Sequence, residues 1–280
     1  MKIKVCLLLI ATLLLTSCTT KLLYNYADWA LEWYVSDLVT LNDDQEWKLR
    51  EAIESTLEWH RKNQIPLYIQ TLDELEEAVN SEITLTFLKR YYFAHEKGWM
   101  ELKYHITPTL AGLLKTLSDS QVKELDENMQ EQENDLRKKY VEKSLEEQIQ
   151  DRSERMIDRT EDWIGDLNGK QKQIVVNWSN QVKQVADQWA YSRQQWQTNF
   201  IKIVRESRNK PEFNELMMEH FQNSRKYWPT GYEAAYYYNV DLTLKMIVDI
   251  GKEMSSKQKT KFLDKIASLK NQFREIYKGD

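Results

Sequence analysis

The chain is 280 residues long and carries 39 basic and 44 acidic side chains, a formal charge of −5, which excludes the basic balance of a nucleic-acid binder. Its 7 glycines and 4 prolines leave few places to turn, so the elements must be long, and no segment shows the alternation of a strand. The two cysteines, Cys6 and Cys18, exclude a disulfide-dense scaffold.

Lys2 and Lys4 form a short basic head, Val5 to Leu15 form an apolar run, and Leu15-Thr16-Ser17-Cys18 closes it. That order is a secretory signal, and a run of about 11 residues is too short for the roughly 20 that a spanning helix needs. The ending resembles the lipobox of bacterial lipoproteins. The resemblance implies a diacylglyceryl group on the Cys18 sulfur, cleavage after Ser17 and acylation of the new amine with palmitate or a similar chain. Residues 1–17 would then be a signal peptide and residues 18–280 a lipid-anchored body. One acyl chain holds a protein marginally and two or more hold it stably. In the sorting rule of such lipoproteins an aspartate after the cysteine retains the protein at the inner membrane; Thr19 stands there, which implies the outer membrane, facing the periplasm. The plainer alternative is cleavage near Ser17 with Cys18 a chance thiol. Loss of Lys2 and Lys4 leaves 37 basic against 44 acidic residues, a formal charge of −7.

From Lys21 to Leu38, Leu22, Tyr26, Trp29 and Trp33 recur at spacings of four and three, the signature of a helix. Their rings suit the core, the reading favoured here, or a bilayer interface. A repeat follows: Leu41-Asn42-Asp43-Asp44-Gln45, Leu117-Ser118-Asp119-Ser120-Gln121, Leu167-Asn168-Gly169-Lys170-Gln171 and Met254-Ser255-Ser256-Lys257-Gln258. Each reads as a capping box. The Asn or Ser side chain accepts the orphan amide three residues on, and the Gln reaches back to the cap's own amide. The apolar residue before each cap pins the incoming chain.

Residues 42–62 carry Leu49, Ile53, Leu57 and His60 on one face, Pro66 opens a helix to about Val79, and Asn80-Ser81 breaks it. A helix from about Thr84 to Lys115 is expected to kink at Pro108. Residues 118–164 are strongly charged with one narrow apolar stripe, and residues 168–208 repeat that theme, so two long helices are expected to pack as an antiparallel hairpin through Gly165. Asn209 with Glu212 and Thr230 with Glu233 form two further boxes, opening helices over 210–228 and 231–252, and 255–277 completes the chain. The expected fold is all-α: an elongated antiparallel multi-helix bundle. It forms a single domain over 18–280, or two packed subdomains, 18–116 and 117–280.

Candidate chemistry is sparse. His95-Glu96 begins like a zincin motif, but Trp99 stands where the second histidine belongs. Glu101 and His105 lie one turn apart and can share a proton or simply be solvated or packed. Arg152, Arg155 and Arg159 fall on one helix face and can grip an anion or partner; the structural alternative is helix pairing of Asp151 with Arg155 and of Arg159 with Asp162. Tyr91-Tyr92-Phe93 and Tyr236-Tyr237-Tyr238 face several directions, so some rings bridge layers or form a binding surface. No catalytic residue, metal site or cofactor is expected.

Leu22 to Trp29, Trp33-Tyr34-Val35, Leu41 to Gln45, Trp59-His60-Arg61, Pro66-Leu67-Tyr68, Arg152 to Arg159, Trp163 to Asn168 and Trp178 resemble a family of proteobacterial lipoproteins built on a domain of unknown function. That likeness implies an all-helical envelope lipoprotein and no particular activity. The four boxes are more weakly similar to periplasmic chaperones with repeated Leu-Thr-x-x-Gln motifs, although Asn or Ser replaces the Thr in every copy here. The expected function is binding or scaffolding of a protein or cell-envelope partner, without catalysis. A periplasmic stress chaperone and a lipid or cell-wall hydrolase are the alternatives.

Overall fold

A computed structural model of the protein describes residues 19–279; Cys18 and its expected lipid lie outside the described residues. Among these residues every regular element is helical: α1 (Thr19–Asn25), α2 (Ala27–Ser36), α3 (Asp43–Asn63), α4 (Ile65–Asn80), α5 (Leu85–Leu114), α6 (Asp119–Tyr140), α7 (Leu145–Ile164), α8 (Gly169–Gln181), α9 (Ala186–Ser207), α10 (Phe213–Gln222), a 3-10 turn (Ser224–Tyr227), α11 (Tyr232–Lys252) and α12 (Ser256–Lys278). The fold is all-α.

All four repeated boxes form, with Asn42, Ser118, Asn168 and Ser255 each accepting the amide of the glutamine three residues on. Their glutamines then do something that a cap does not require. Gln45 and Gln121 face each other and exchange amide hydrogen bonds, Gln121 Nε2 donating to Gln45 Oε1 at 2.7 Å and Gln45 Nε2 to Gln121 Oε1 at 3.2 Å. Each also donates to the carbonyl two residues before its partner's cap, Gln45 to Thr116 at 2.8 Å and Gln121 to Thr40 at 2.7 Å. Gln171 and Gln258 repeat the arrangement, at 3.1 and 3.0 Å to each other and with Glu253 and Asp166 as the carbonyl acceptors. Each amide oxygen accepts at least twice and each amide nitrogen donates twice, so these groups, buried at Gln45, Gln171 and Gln258, are fully satisfied. Two helix starts are thus clasped nose to nose, twice in the chain.

Each clasp sits on its own apolar cluster. The first lies over Val39, Leu114, Leu117, Val122 and Leu125, a core shared with Phe200, Val204, Phe213 and Met217. The second lies over Ile164, Leu167, Val175, Trp178, Met246 and Ile250. A third cluster joins Leu72 and Val79 of α4 to Ile266 and Leu269 of α12. The first cluster draws on residues from both sides of position 116/117.

Several expectations are corrected. Neither long arm is continuous. The first stops at Tyr140 and restarts at Leu145 behind a further capping box, Ser144 with Glu147. The second breaks between Gln181 and Ala186, where no side chain caps α9. That break is held from outside: Asn239 of α11 accepts the Lys183 amide at 2.9 Å and donates to its carbonyl at 2.9 Å. The arms pair piecewise, α7 on α8 and α6 on α9. Asn209 and Thr230 do not cap; α10 starts after Glu212 and α11 after Gly231, neither with a side-chain cap bond. Gly231 takes φ +81°, the left-handed region that a glycine enters at no steric cost. Of the stripe expected in the core, Leu22, Tyr26 and Trp29 are exposed, 52%, 59% and 62% accessible, Trp33 is half-buried, and the helix is interrupted at Tyr26. The helix expected over about 84–115 forms as α5, with Pro108 inside it.

Candidate functional site

The candidate site is a groove between α4 and α5. The two are joined through Asn80 and Ser81, whose side chains bond back to the Glu76 and Glu77 carbonyls and end α4, and Thr84, whose hydroxyl accepts the Phe87 amide and starts α5. They then pack on different neighbours. Leu72 and Val79 turn α4 toward α12, while α5 lies on α10 and α3. The facing sides are left to line a cavity of about 340 Å³, walled by Leu67, Tyr68, Phe87, Tyr91 and Trp99. Leu67, Tyr91 and Trp99 are about half exposed there. The lining on α5 runs from Phe87 to Leu102, a span of roughly 22 Å at helical rise.

The floor is polar and tightly built. Gln64 is 2% exposed, and its Nε2 donates to Glu101 Oε2 at 3.2 Å. Its Oε1 lies 2.7 Å from where a Cβ on Gly98 would stand, so Gly98 is what lets the amide rest against the α5 backbone. His60 closes one end, with Nδ1 3.3 Å from the Tyr24 hydroxyl and Nε2 3.3 Å from the Tyr68 hydroxyl. The Tyr24 hydroxyl donates to the Leu57 carbonyl at 2.9 Å, so it accepts from Nδ1–H, and Nε2 accepts from Tyr68. Burial holds the imidazole below its usual titration range and the Tyr68 phenol above its own. At the rim Arg90 pairs with Glu74 at 2.6 Å, spanning the two helices. Among the described residues no carboxylate bonds to His60, and no group of three or more His, Cys, Asp or Glu is placed to hold a metal ion.

Among known protein families, the profile of DUF6279, a family of unknown function, matches residues 37–233, more than half of the chain. The chain belongs to that family. No curated protein and no solved structure matches it. The matched span of this DUF6279 member takes in the whole groove and the first glutamine clasp, and stops short of Gln258 and α12.

The other candidate residues disperse. Arg152 donates to the Ser179 carbonyl and to Gln184 Oε1, both at 3.1 Å, so it holds the carboxyl end of α8 and the break after it. Burial, with Arg155 nearby, pulls its pKa down. Arg155 reaches Asp151 at 3.6 Å, beside Lys143, and Arg159 is exposed. Glu101 bonds to Gln64, whereas His105 stacks on Trp59 at 4.5 Å and 12°, so that pair does not meet. Tyr92 bridges to Tyr236 of α11 at 2.9 Å, Tyr237 accepts from Arg225 at 2.6 Å, and Phe93 and Tyr238 are exposed. Of the aromatic runs, Tyr91 alone enters the groove. His220 is fully buried among Trp196, Phe200 and Phe221, 2.9 Å from the Tyr227 hydroxyl. The groove has no signature in the sequence because its residues come from three helices with no common spacing; Gly98 inside a helical pattern is the one local signal.

Proposed function

We propose that this protein is a lipid-anchored, periplasm-facing protein of the outer membrane that binds a polypeptide in the groove between α4 and α5 and performs no catalysis. The observation that carries the reading is the groove itself: neighbouring helices held apart by their separate packing, with half-exposed Leu67, Tyr91 and Trp99 between them. Aromatic and aliphatic walls about 22 Å long suit the apolar stripe of an amphipathic helix, whose i, i+3 and i+4 side chains would enter while its polar face meets Arg90, Glu74 and Lys97. The anchor rests on the sequence around Cys18. The absence of catalysis is argued from the floor, where His60 is committed to two hydroxyls and Glu101 to an amide.

A photoreactive residue at position 91 or 99, irradiated in intact cells, should give an adduct with a discrete polypeptide. Adducts at position 123 on exposed α6 but none at 91 or 99 would defeat the groove reading. A stress chaperone is a version of the same reading in which the polypeptide is an unfolded client; suppression of client aggregation that disappears with Trp99→Ala would select it. Mass spectrometry of the amino-terminal peptide tests the anchor, and an unmodified Cys18 thiol would remove it.

A further inference from the structure

The helix that follows the expected anchor packs on α3 by one side and touches the first apolar cluster only through Val35, leaving the rest of its girth uncovered. α2, Ala27–Ser36, holds Ala27, Trp29, Ala30, Leu31, Trp33, Tyr34 and Val35 in its ten residues, and not one residue of it is buried. A helix that apolar around its girth is ordinarily enclosed. Here Trp29 is 62% accessible, and Tyr26 and Leu22, which share its stripe at spacings of three and four, are exposed too; Leu31 and Tyr34 are exposed on the other side of α2. Patches of this kind mark surfaces that something else covers.

We infer that this face lies in the lipid–water interface, so that the body is docked flat on the membrane rather than swinging below its anchor. This rests on the lipid-anchor reading for its occupant, and three observations point to lipid. Cys18 directly precedes α1 in sequence, with Leu22 four and Trp29 eleven residues on, so acyl chains on Cys18 would tether the face to the bilayer over a span of roughly 16 Å at helical rise. The exposed side chains are largely Trp and Tyr, whose amphipathic rings settle at headgroup depth. Of the two acids on these helices, Glu32 is neutralised by Arg50 at 3.3 Å and Asp28 accepts the Trp29 amide at 2.7 Å. Among the described residues no helix is long and apolar enough to cross a membrane, and ten residues reach only about 15 Å, half a hydrocarbon core, so α2 lies on the bilayer rather than through it. The family match begins at residue 37, just past this helix.

The test uses the protein extracted from membranes and reconstituted into phosphatidylethanolamine–phosphatidylglycerol vesicles. Trp29→Phe and Trp99→Phe are conservative changes at exposed positions, so subtracting each variant's emission from the parent's isolates one ring. Trp99, 57% exposed in the groove, is the internal control for Trp29. Brominated lipid should quench the Trp29 emission by about half or more and leave Trp99 untouched, while aqueous iodide should do the reverse. Trp29 quenched by iodide like Trp99 would overturn the inference. So would Trp29 shielded from both quenchers, which would mean that a second copy or another protein covers the face. The amino-terminal mass separates the two proposals: lipid on Cys18 with iodide-accessible Trp29 removes the docking and keeps the anchor, and a free thiol with lipid-quenched Trp29 does the opposite.

Discussion

Replacing Gln45 with alanine is the sharpest perturbation of this architecture. The amide makes four hydrogen bonds at 2% exposure: it accepts from the Asn42 amide and from Gln121, and donates to the Thr116 carbonyl and to Gln121. Truncation would leave the half-buried Thr116 carbonyl and Gln121 amide without these partners, at about 1 kcal/mol each, the low end for a group left unpaired. A cap interaction is worth about 1 kcal/mol more. We therefore expect Gln45→Ala to cost about 3 kcal/mol, a large part of a typical domain's 5–15 kcal/mol. Gln121→Ala should cost a similar amount. The double variant should cost about 1–2 kcal/mol less than the sum, because both singles remove the same reciprocal pair. Urea unfolding of the four proteins, followed by far-ultraviolet circular dichroism, measures the cycle. Singles costing under about 1 kcal/mol and adding without coupling would show that the glutamines are independent caps and that the clasp contributes nothing.

Other outcomes follow from the same reasoning. Tyr91→Ala and Trp99→Ala should leave the urea midpoint within the usual ±0.5 kcal/mol of a surface change while abolishing groove crosslinks; a lost crosslink with a collapsed midpoint would mean a packing role. Gly98→Ala should be nearly neutral for stability, since the gain of about 1 kcal/mol in helix propensity offsets the displaced Gln64–Glu101 bond, yet should weaken partner recovery by reshaping the floor; unchanged recovery would assign Gly98 to packing alone. His220 is held neutral, its pKa lowered to about 4 by burial and by Lys226, with Glu219 opposing. The folded value is depressed, so its contribution is full above the unfolded value near 6.5 and is lost as pH falls toward 4. By pH 5 that amounts to roughly 2 kcal/mol, which His220→Phe should remove from the pH dependence of urea unfolding; an unchanged slope between pH 7 and 5 would refute this. Arg152→Ala should cost about 1 kcal/mol through the Ser179 carbonyl, and Arg155→Ala and Arg159→Ala close to nothing; equal effects on partner recovery from all three would instead restore them as one anion site.

Much of this protein is written in short-range chemistry. A capping box joins residues three apart, so Asn42, Ser118, Asn168 and Ser255 announce their helices without reference to anything distant, and scarce glycine and proline leave little besides helix to build. Ser144 with Glu147 is the same local pattern, masked by an apolar stripe that runs on across it. The false boxes at Asn209 and Thr230 show the converse, that a matching pattern caps nothing when the turn before α10 and the left-handed Gly231 before α11 start those helices. Other features depend on residues far apart in the chain, and local pattern has no access to them. The break at 182–185 is clamped by Asn239 and Arg152, the clasps join glutamines 76 and 87 positions apart, and the groove exists because α4 and α5 find stronger partners elsewhere. An apolar stripe likewise declares only that a face will be covered. Whether the rest of the chain covers it is settled by how much core the other helices can fill among themselves, and here they close three clusters and leave α2 outside all but the edge of one.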